Sequence, residues 1–468
     1  MSMPSKEISI SRDAFDSKAD SKSKYISPRG ISRDIVLEIS RQKNEPEWML
    51  EKRLRALELF EKTATPAWGP SLAALDLSQI VYYVRPDTKE AKTWEEVPEE
   101  IRKTFEKLGI PEAERNSLSG VGAQFDSDIV YHNLKKEWED KGVIFENMDT
   151  AVQKYPELVK KHFMTDCIPI HDHKFIMLHA AVWSGGTFIY VPPGVKVNVP
   201  LQAYFRMNQE SGGQFEHTLI IVDEGASVDY IEGCSAPRFA SNALHAGCVE
   251  LHVKKNATIR YSSIENWSKN TYNLNTKRAV VDAYGKVEWL NGNMGSGVTM
   301  LYPCSVLRGV GARSESLGVA FAGPGQNQDT GSKVIHAAPH TTSVIRAKSI
   351  SKGGGISSYR GMVRVTKAAT DTVSSVNCDA LILDADSVSN TYPTMRVDTD
   401  AVEVSHEATV GRIGDEEIFY LRSRGLSEAQ ATKMIVSGFI EPVVKRLPME
   451  YAIELNKLIE LEMTGSVG

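Results

Sequence analysis

Three patterns of hydrophobic and polar positions follow one another along the chain. Between residues 31 and 163 the apolar positions keep a helical period. Pro46 suits the first turn of a helix, and Leu50, Leu54 and Leu57 follow at i, i+4 and i+7, with charges on the other faces of Glu47–Lys62. Pro66, Trp68, Gly69 and Pro70 end that pattern, and a second helix is predicted over 99–108. From about residue 167 the long helical period gives way to short alternating β-branched runs such as 195–199 and 219–222.

This second zone repeats. A turn of small residues followed by an alternating strand begins at Gly225, Asn256, Gly285, Gly311, Thr341 and Ala368, with successive starts 31, 29, 26, 30 and 27 residues apart. A drifting period built from strands and turns predicts a parallel β-helix in which each coil stacks on the last. A large sandwich with similar turn spacing is the alternative. Stacked coils need protected ends, which flanking helical regions would supply.

Helical spacing returns after Gly425. Ser427 and Gln430 form a capping-box pair ahead of 429–436, Gly438 is expected to break that helix, and Pro448 to open another running to Met463. Ile453, Leu455, Leu458, Ile459 and Leu461 make the last helix apolar over much of its surface, so it packs on the body or receives a partner. The predicted layout is mainly β. It comprises a disordered tail (1–30), a helical N-terminal domain (31–163), a parallel β-helix core (164–413) and a helical C-terminal domain (414–468).

At 468 residues the chain exceeds what one ordinary core spans, about 250–300 residues, which agrees with an elongated body carrying appendages. Its net charge of −6 with 24% charged residues points to neither nucleic acid nor an acidic lipid surface. The first 30 residues are rich in Ser, Lys and Asp and lack the apolar core of a signal peptide. The most apolar stretch, 175–183, is interrupted by His179 and too short to span a bilayer. A cytoplasmic protein without membrane attachment is expected. Cys167, Cys234, Cys248, Cys304 and Cys378 are odd in number, widely spread and free of CxxC pairing, which argues against a disulfide framework or a zinc ribbon.

Among motifs that carry chemistry, no phosphate-binding loop is present. Between Gly325 and Lys333 the spacing is one residue too long and Ser precedes Lys, so ATP hydrolysis by this chain alone is not expected. His171 and His173 flank Asp172 and would share one face of a strand. With the cupin-like spacing of Gly186, Pro192 and Gly194 they raise a metal-dependent enzyme as an alternative, although Val197 stands where a cupin's next histidine would be. Cys378 lies in a strand-like run, and His406-Glu407 follows one coil later. Stacking would bring thiolate, imidazole and carboxylate near one another. Cys234, just past a strand beside glycine, is either an exposed thiol for sulfur transfer or a buried packing residue. A non-catalytic structural β-helix is the remaining alternative.

At these segments the chain resembles the SufB/SufD family of iron–sulfur cluster assembly proteins, on its SufB side. The matching stretches are spread over nearly its whole length. They include Ser27-Pro-Arg-Gly-Ile-Ser-Arg, Pro46-Glu-Trp-Met-Leu, Gly120-Val-Gly-Ala-Gln-Phe-Asp, Tyr204-Phe-Arg-Met-Asn, Glu232-Gly-Cys-Ser-Ala-Pro, Glu265-Asn-Trp, Thr276-Lys-Arg-Ala and Ser405-His-Glu-Ala-Thr. The resemblance implies a right-handed parallel β-helix between helical domains, and a scaffold for cluster assembly that is not itself an enzyme. It implies docking of SufC, an ABC-type ATPase, on the C-terminal helices, and pairing with SufD or a second SufB copy along the β-helix. A cysteine desulfurase system would donate persulfide sulfur, with a reduced flavin as candidate electron donor. Residue by residue, it assigns Cys234 to sulfur acceptance, and Arg206, Asn208, Glu265, Trp267 and Lys277 to the sulfur route. Cys378 and Glu407, with His406 beside them, are assigned to the nascent transient cluster.

Overall fold

A computed structural model describes residues 16, 18, 19, 21–107, 118–447 and 449–464. Its body is a parallel β-helix of about eight turns. Strands Lys196–Arg206, Ser227–Ser235, Thr258–Trp267, Lys286–Gly295, Arg313–Ala322, Thr342–Ser351, Thr372–Ile382 and Val402–Arg412 stack side by side in one sheet. A second sheet of shorter strands closes each coil. The register runs Ser227, Thr258, Lys286, Arg313, Thr342, one coil apart at each step. The reason for the repeat lies in the turns. Gly225, Asn256, Tyr284, Gly311, His340 and Asp371 all have φ between +54° and +69°. Each coil therefore enters its long strand through one left-handed residue, a conformation that favours Gly, Asn, Asp and His.

Within each strand, alternate residues face the lumen or the outside. Tyr230, Tyr261 and Trp289 stack in the lumen with ring centroids 5.4 Å apart at each step, pairs worth about 0.5–1.5 kcal/mol beyond the area they bury. Two further cores lie outside the coils. One sits beneath the N-terminal helices and includes Phe188, Leu219, Ile221 and Leu244. The other sits beneath the C-terminal helices, where Ile231, Ile264, Leu290 and Leu317 meet Leu455, Leu458 and Ile459. The last helix, Met449–Thr464, thus packs on the body.

Several expectations are corrected. Of the tail expected over 1–30, Ser23–Ile26 pairs with Val84–Pro86 and Ala19 is buried, while residues 1–15 lie outside the described residues. The region expected to be helical contributes Gly120–Phe125, Asp128–Leu134 and Ile144–Asn147 to the two sheets, closing the first coil. Gly120–Phe125 is buried on both faces, which erases the alternation that marks a half-exposed strand. Conversely, Lys174–Val182 is a helix inside the expected β zone. From Phe175 to Val182 every residue is buried, so no amphipathic period shows. Helix Glu428–Val444 begins on the predicted Ser427–Gln430 capping box but runs through Gly438, whose interior position costs only about 1 kcal/mol. No helix among the described residues is long and apolar enough to cross a membrane.

Candidate functional site

Cys234 points into the lumen together with Val228, Tyr230 and Glu232 of its strand, and is 1% exposed. Its sulfur lies 3.9 Å from Glu232 Oε1. One coil on, Glu265 sits opposite Cys234 in register. Lys277 Nζ donates to Glu265 Oε1 at 2.8 Å and to Ser263 Oγ at 2.9 Å, and stands 3.7 Å from Glu232 Oε1. The Asn273 amide donates to the other Glu265 oxygen at 2.5 Å, and His245 bridges Asn273 and Glu216 at 2.8 and 2.5 Å. Trp267 covers the His245 ring at 4.3 Å. All of these side chains are buried.

Burial makes this polar group electrostatically tense. Burial, followed by the Glu232, Glu265 and Glu216 carboxylates, pushes the Cys234 thiol well above its usual range. Burial also raises Glu232, which Lys277 only partly offsets. At Glu265 burial works the same way but loses to Lys277 and His245, and the carboxyl is held below its ordinary value. Cys234 therefore rests as a thiol beside a carboxyl group able to exchange its proton.

A row of lumen positions leads away from this group. Glu232, Ser263, Asn291, Gly318, Ala347 and Cys378 are successive partners in the ladder, each one strand further along. Five strand spacings carry the row roughly 24 Å. Between its polar start and Cys378 the side chains shrink to those of Gly318 and Ala347. A small cavity of about 30 Å³ lies there, with Asn291, Asn293, Ser316, Gly318, Ala347 and Cys378 among its lining residues. A Cβ added at Gly318 would meet nothing closer than Asn291 O at 4.0 Å.

At the far end Cys378 Sγ stands 3.9 Å from His406 Nε2 of the terminal strand Val402–Arg412. Burial pushes the Cys378 thiol up to about 12, with Tyr359 pulling the other way. Glu407 is paired with Asn377, lies on the opposite face of the strand from His406, and is exposed. Within one chain it does not converge with Cys378 and His406. The last coil is open, leaving Tyr392, Met395, Val397 and Val410 exposed. Phe419 and Tyr420 on helix Asp415–Ser423 are 74% and 56% exposed.

Arg206 and Asn208 stand apart from the lumen group. Phe205 and Met207 face the lumen, so Arg206 turns to the outer face with Tyr204, where it donates to Ser235 Oγ at 3.0 Å. Asn208 exchanges hydrogen bonds with the backbone of Ala19 and donates its own N–H to Asp126. Strand parity separates them from Cys234 although Arg206 pairs with its neighbour Ser235. His171 and His173 are not on a strand. His173 precedes helix Lys174–Val182 and bonds Thr276, while Asp172 pairs with Arg278. Among the described residues no convergent group of metal-ligand side chains contains either histidine, which removes the geometric basis for the cupin-like alternative.

Sequence reasoning missed Glu216, Glu232, His245, Asn273 and Gly318. Glu232-Gly-Cys234 carried a signal, since i and i+2 on a strand share a face. His245 and Asn273 carried none, because only coil stacking brings them to Glu265.

Residues 37–203 match the family described as SufBD protein N-terminal region. Residues 205–439 match the family described as SUF system FeS cluster assembly, SufBD core domain. An iron-sulfur cluster assembly SufBD family protein of Staphylococcus aureus (strain MRSA252) is 54% identical over 449 residues, 96% of each chain. One from Staphylococcus saprophyticus subsp. saprophyticus is 53% identical over 444 residues, 95% of each chain. With family matches over both halves and relatives alike from end to end, the chain belongs to the SufBD family of iron–sulfur cluster assembly proteins.

Proposed function

We propose that this chain is a scaffold that receives sulfur at Cys234, passes it along the lumen to Cys378, and holds a nascent iron–sulfur cluster there before transfer. The observation that carries this reading is the lumen row from Glu232 to Cys378, with small residues and a cavity along its second half. Acceptance begins with transfer of the Cys234 thiol proton, for which Glu232 Oε1 at 3.9 Å is the nearest carboxylate oxygen on its strand. The resulting thiolate attacks the outer sulfur of a donor persulfide, releasing the donor thiolate and leaving a persulfide on Cys234. Lys277 offers positive charge to anionic sulfur, and enclosure by the coils keeps bulk thiols away. Because Cys234 is sealed in the free chain, delivery requires the surrounding segment to open.

Cys378 and His406 supply one thiolate and one imidazole, fewer donors than a cluster's irons require. The rest come from sulfide, formed when a two-electron donor such as a reduced flavin reduces the relayed persulfide sulfur, and from a partner at the open last coil, either SufD or a second copy of this chain. Glu407, exposed at that end, serves in the assembled state. The exposed Phe419 and Tyr420 belong to the surface on which a SufC-type ABC ATPase docks, and ATP-driven movement there opens the pair of subunits to release the cargo. A cysteine desulfurase system is the sulfur source.

The test is Cys378→Ser, followed by copurification with the ATPase and partner subunits and by activity of iron–sulfur enzymes in cells that depend on this chain. Intact assembly with maturation abolished is expected. Normal maturation would sink the proposal.

A further inference from the structure

On the outer face of the β-helix, strand Cys248–Val253 turns Val249, Leu251 and Val253 to the lumen and Cys248, Glu250 and His252 to the N-terminal layer. There Cys167, Glu250 and His252 bring one ligand atom each within 4.8 Å of one another, and none of the three is more than 1% exposed. They lie outside the lumen and play no part in the sulfur route.

The hydrogen-bond pattern around Glu250 leaves an unbalanced centre. His179 Nδ1 donates to Ala246 O at 2.8 Å, so Nε2 of the neutral His179 ring is an acceptor and takes the Nδ1–H of His217 at 3.0 Å. The other nitrogen of His217 is then a bare lone pair, yet it faces Glu250 Oε2 at 3.2 Å. The Glu250 oxygens already accept the N–H groups of Ile168 and Met164, at 2.9 and 2.7 Å. Two acceptors cannot face one another in a dry interior without a proton or a cation between them. A proton on Glu250 would serve that one contact. It would leave both nitrogens of His252, buried and without hydrogen-bond partners, as they are. A metal ion serves Glu250 and His252 together and takes the sulfur of Cys167, whose thiol otherwise donates to Arg278 O at 3.3 Å.

We propose that Cys167, Glu250 and His252 bind one divalent transition-metal ion that pins the segment after helix Pro156–His162 to the β-helix. A sulfur, nitrogen and carboxylate donor set favours zinc or ferrous iron over magnesium or calcium. The closed setting marks a structural site, since a catalytic metal keeps an open position. Binding displaces the Cys167 thiol proton to solvent and requires the carboxylate form of Glu250.

The full chain, stripped with chelator and titrated anaerobically with cobalt(II), provides the test. One cobalt per chain is expected, with a thiolate-to-cobalt charge-transfer band. Cys167→Ser should abolish the band, and His252→Ala and Glu250→Gln should weaken binding at least about tenfold. Cys304→Ser, a buried thiol outside both this site and the lumen row, should leave it unchanged. Far-ultraviolet circular dichroism of each stripped variant shows whether it folds, and Glu250→Gln keeps an oxygen acceptor for the backbone if Cys167→Ser does not. Absence of stoichiometric binding, a band that survives Cys167→Ser, or one that disappears with Cys304→Ser would each overturn the assignment.

Discussion

Replacing Lys277 by methionine removes the ammonium group that Glu265 and Glu232 share while keeping a long side chain in the lumen. Lys277 and Glu265 are 0% and 1% exposed as side chains, so little solvent is at hand to compensate the orphaned carboxylates. Breaking such a buried pair costs about 3–5 kcal/mol. Protonation limits the loss, because a neutral carboxyl group leaves only a missing hydrogen bond of about 1 kcal/mol. The sign of the pH dependence follows. In the native protein Glu265 titrates below its unfolded value, so its stabilisation is present above that value and fades as pH falls through the folded one. In Lys277→Met the buried carboxyl titrates above its unfolded value, and its penalty is greatest at high pH. The gap between native and variant should therefore narrow from about 3 kcal/mol near pH 8 to about 1 kcal/mol under mild acid. Urea unfolding followed by tryptophan fluorescence measures it, with Trp267 close to the site. Lys277→Met/Glu265→Gln should recover much of the loss. A gap that is small at every pH, or a double variant no better than the single one, would refute a charged Lys277–Glu265 pair.

Other expectations follow from the same geometry. Gly318→Leu fills the lumen where Gly318 now leaves space. Stability should fall by about 1–3 kcal/mol with the fold retained while iron–sulfur enzyme maturation falls sharply, as urea unfolding and enzyme assays in dependent cells would show. Asp126 is raised to about 6 by burial, against two backbone N–H donors from Asn208 and Gln209. The native fold should lose about 2–3 kcal/mol as pH rises from about 4 to 6, and Asp126→Asn should flatten that slope in melting temperature against pH. Arg446 joins the C-terminal helices to Glu288 and Glu315 at 2.8 and 3.2 Å. Arg446→Ala should cost about 1 kcal/mol and hasten proteolytic release of that segment.

The coil period was legible because its cause is local. One left-handed residue per turn, as at Gly225, Asn256 and Gly311, writes itself into composition, and lumen residues alternate along each strand. The capping box at Ser427 and the Glu47–Lys62 helix were legible for the same reason. The Lys174–Val182 helix and the Gly120–Phe125 strand were not, since full burial removes the contrast between faces from which either period is read.

Sequence by itself determined that coils form, roughly where each begins, and which residues carry thiol, imidazole or carboxylate. Only the tertiary structure decided which of these meet. Cys378 and His406 are 28 positions apart and become neighbours because one coil separates them. Arg206 pairs with the residue after Cys234 but points to the opposite face, because one step along a strand reverses the side chain. Cys167 reaches Glu250 and His252 from a segment outside the coils. Local preferences act over a few residues of backbone, whereas convergence depends on the register of strands some thirty residues apart, which packing sets for the whole stack at once.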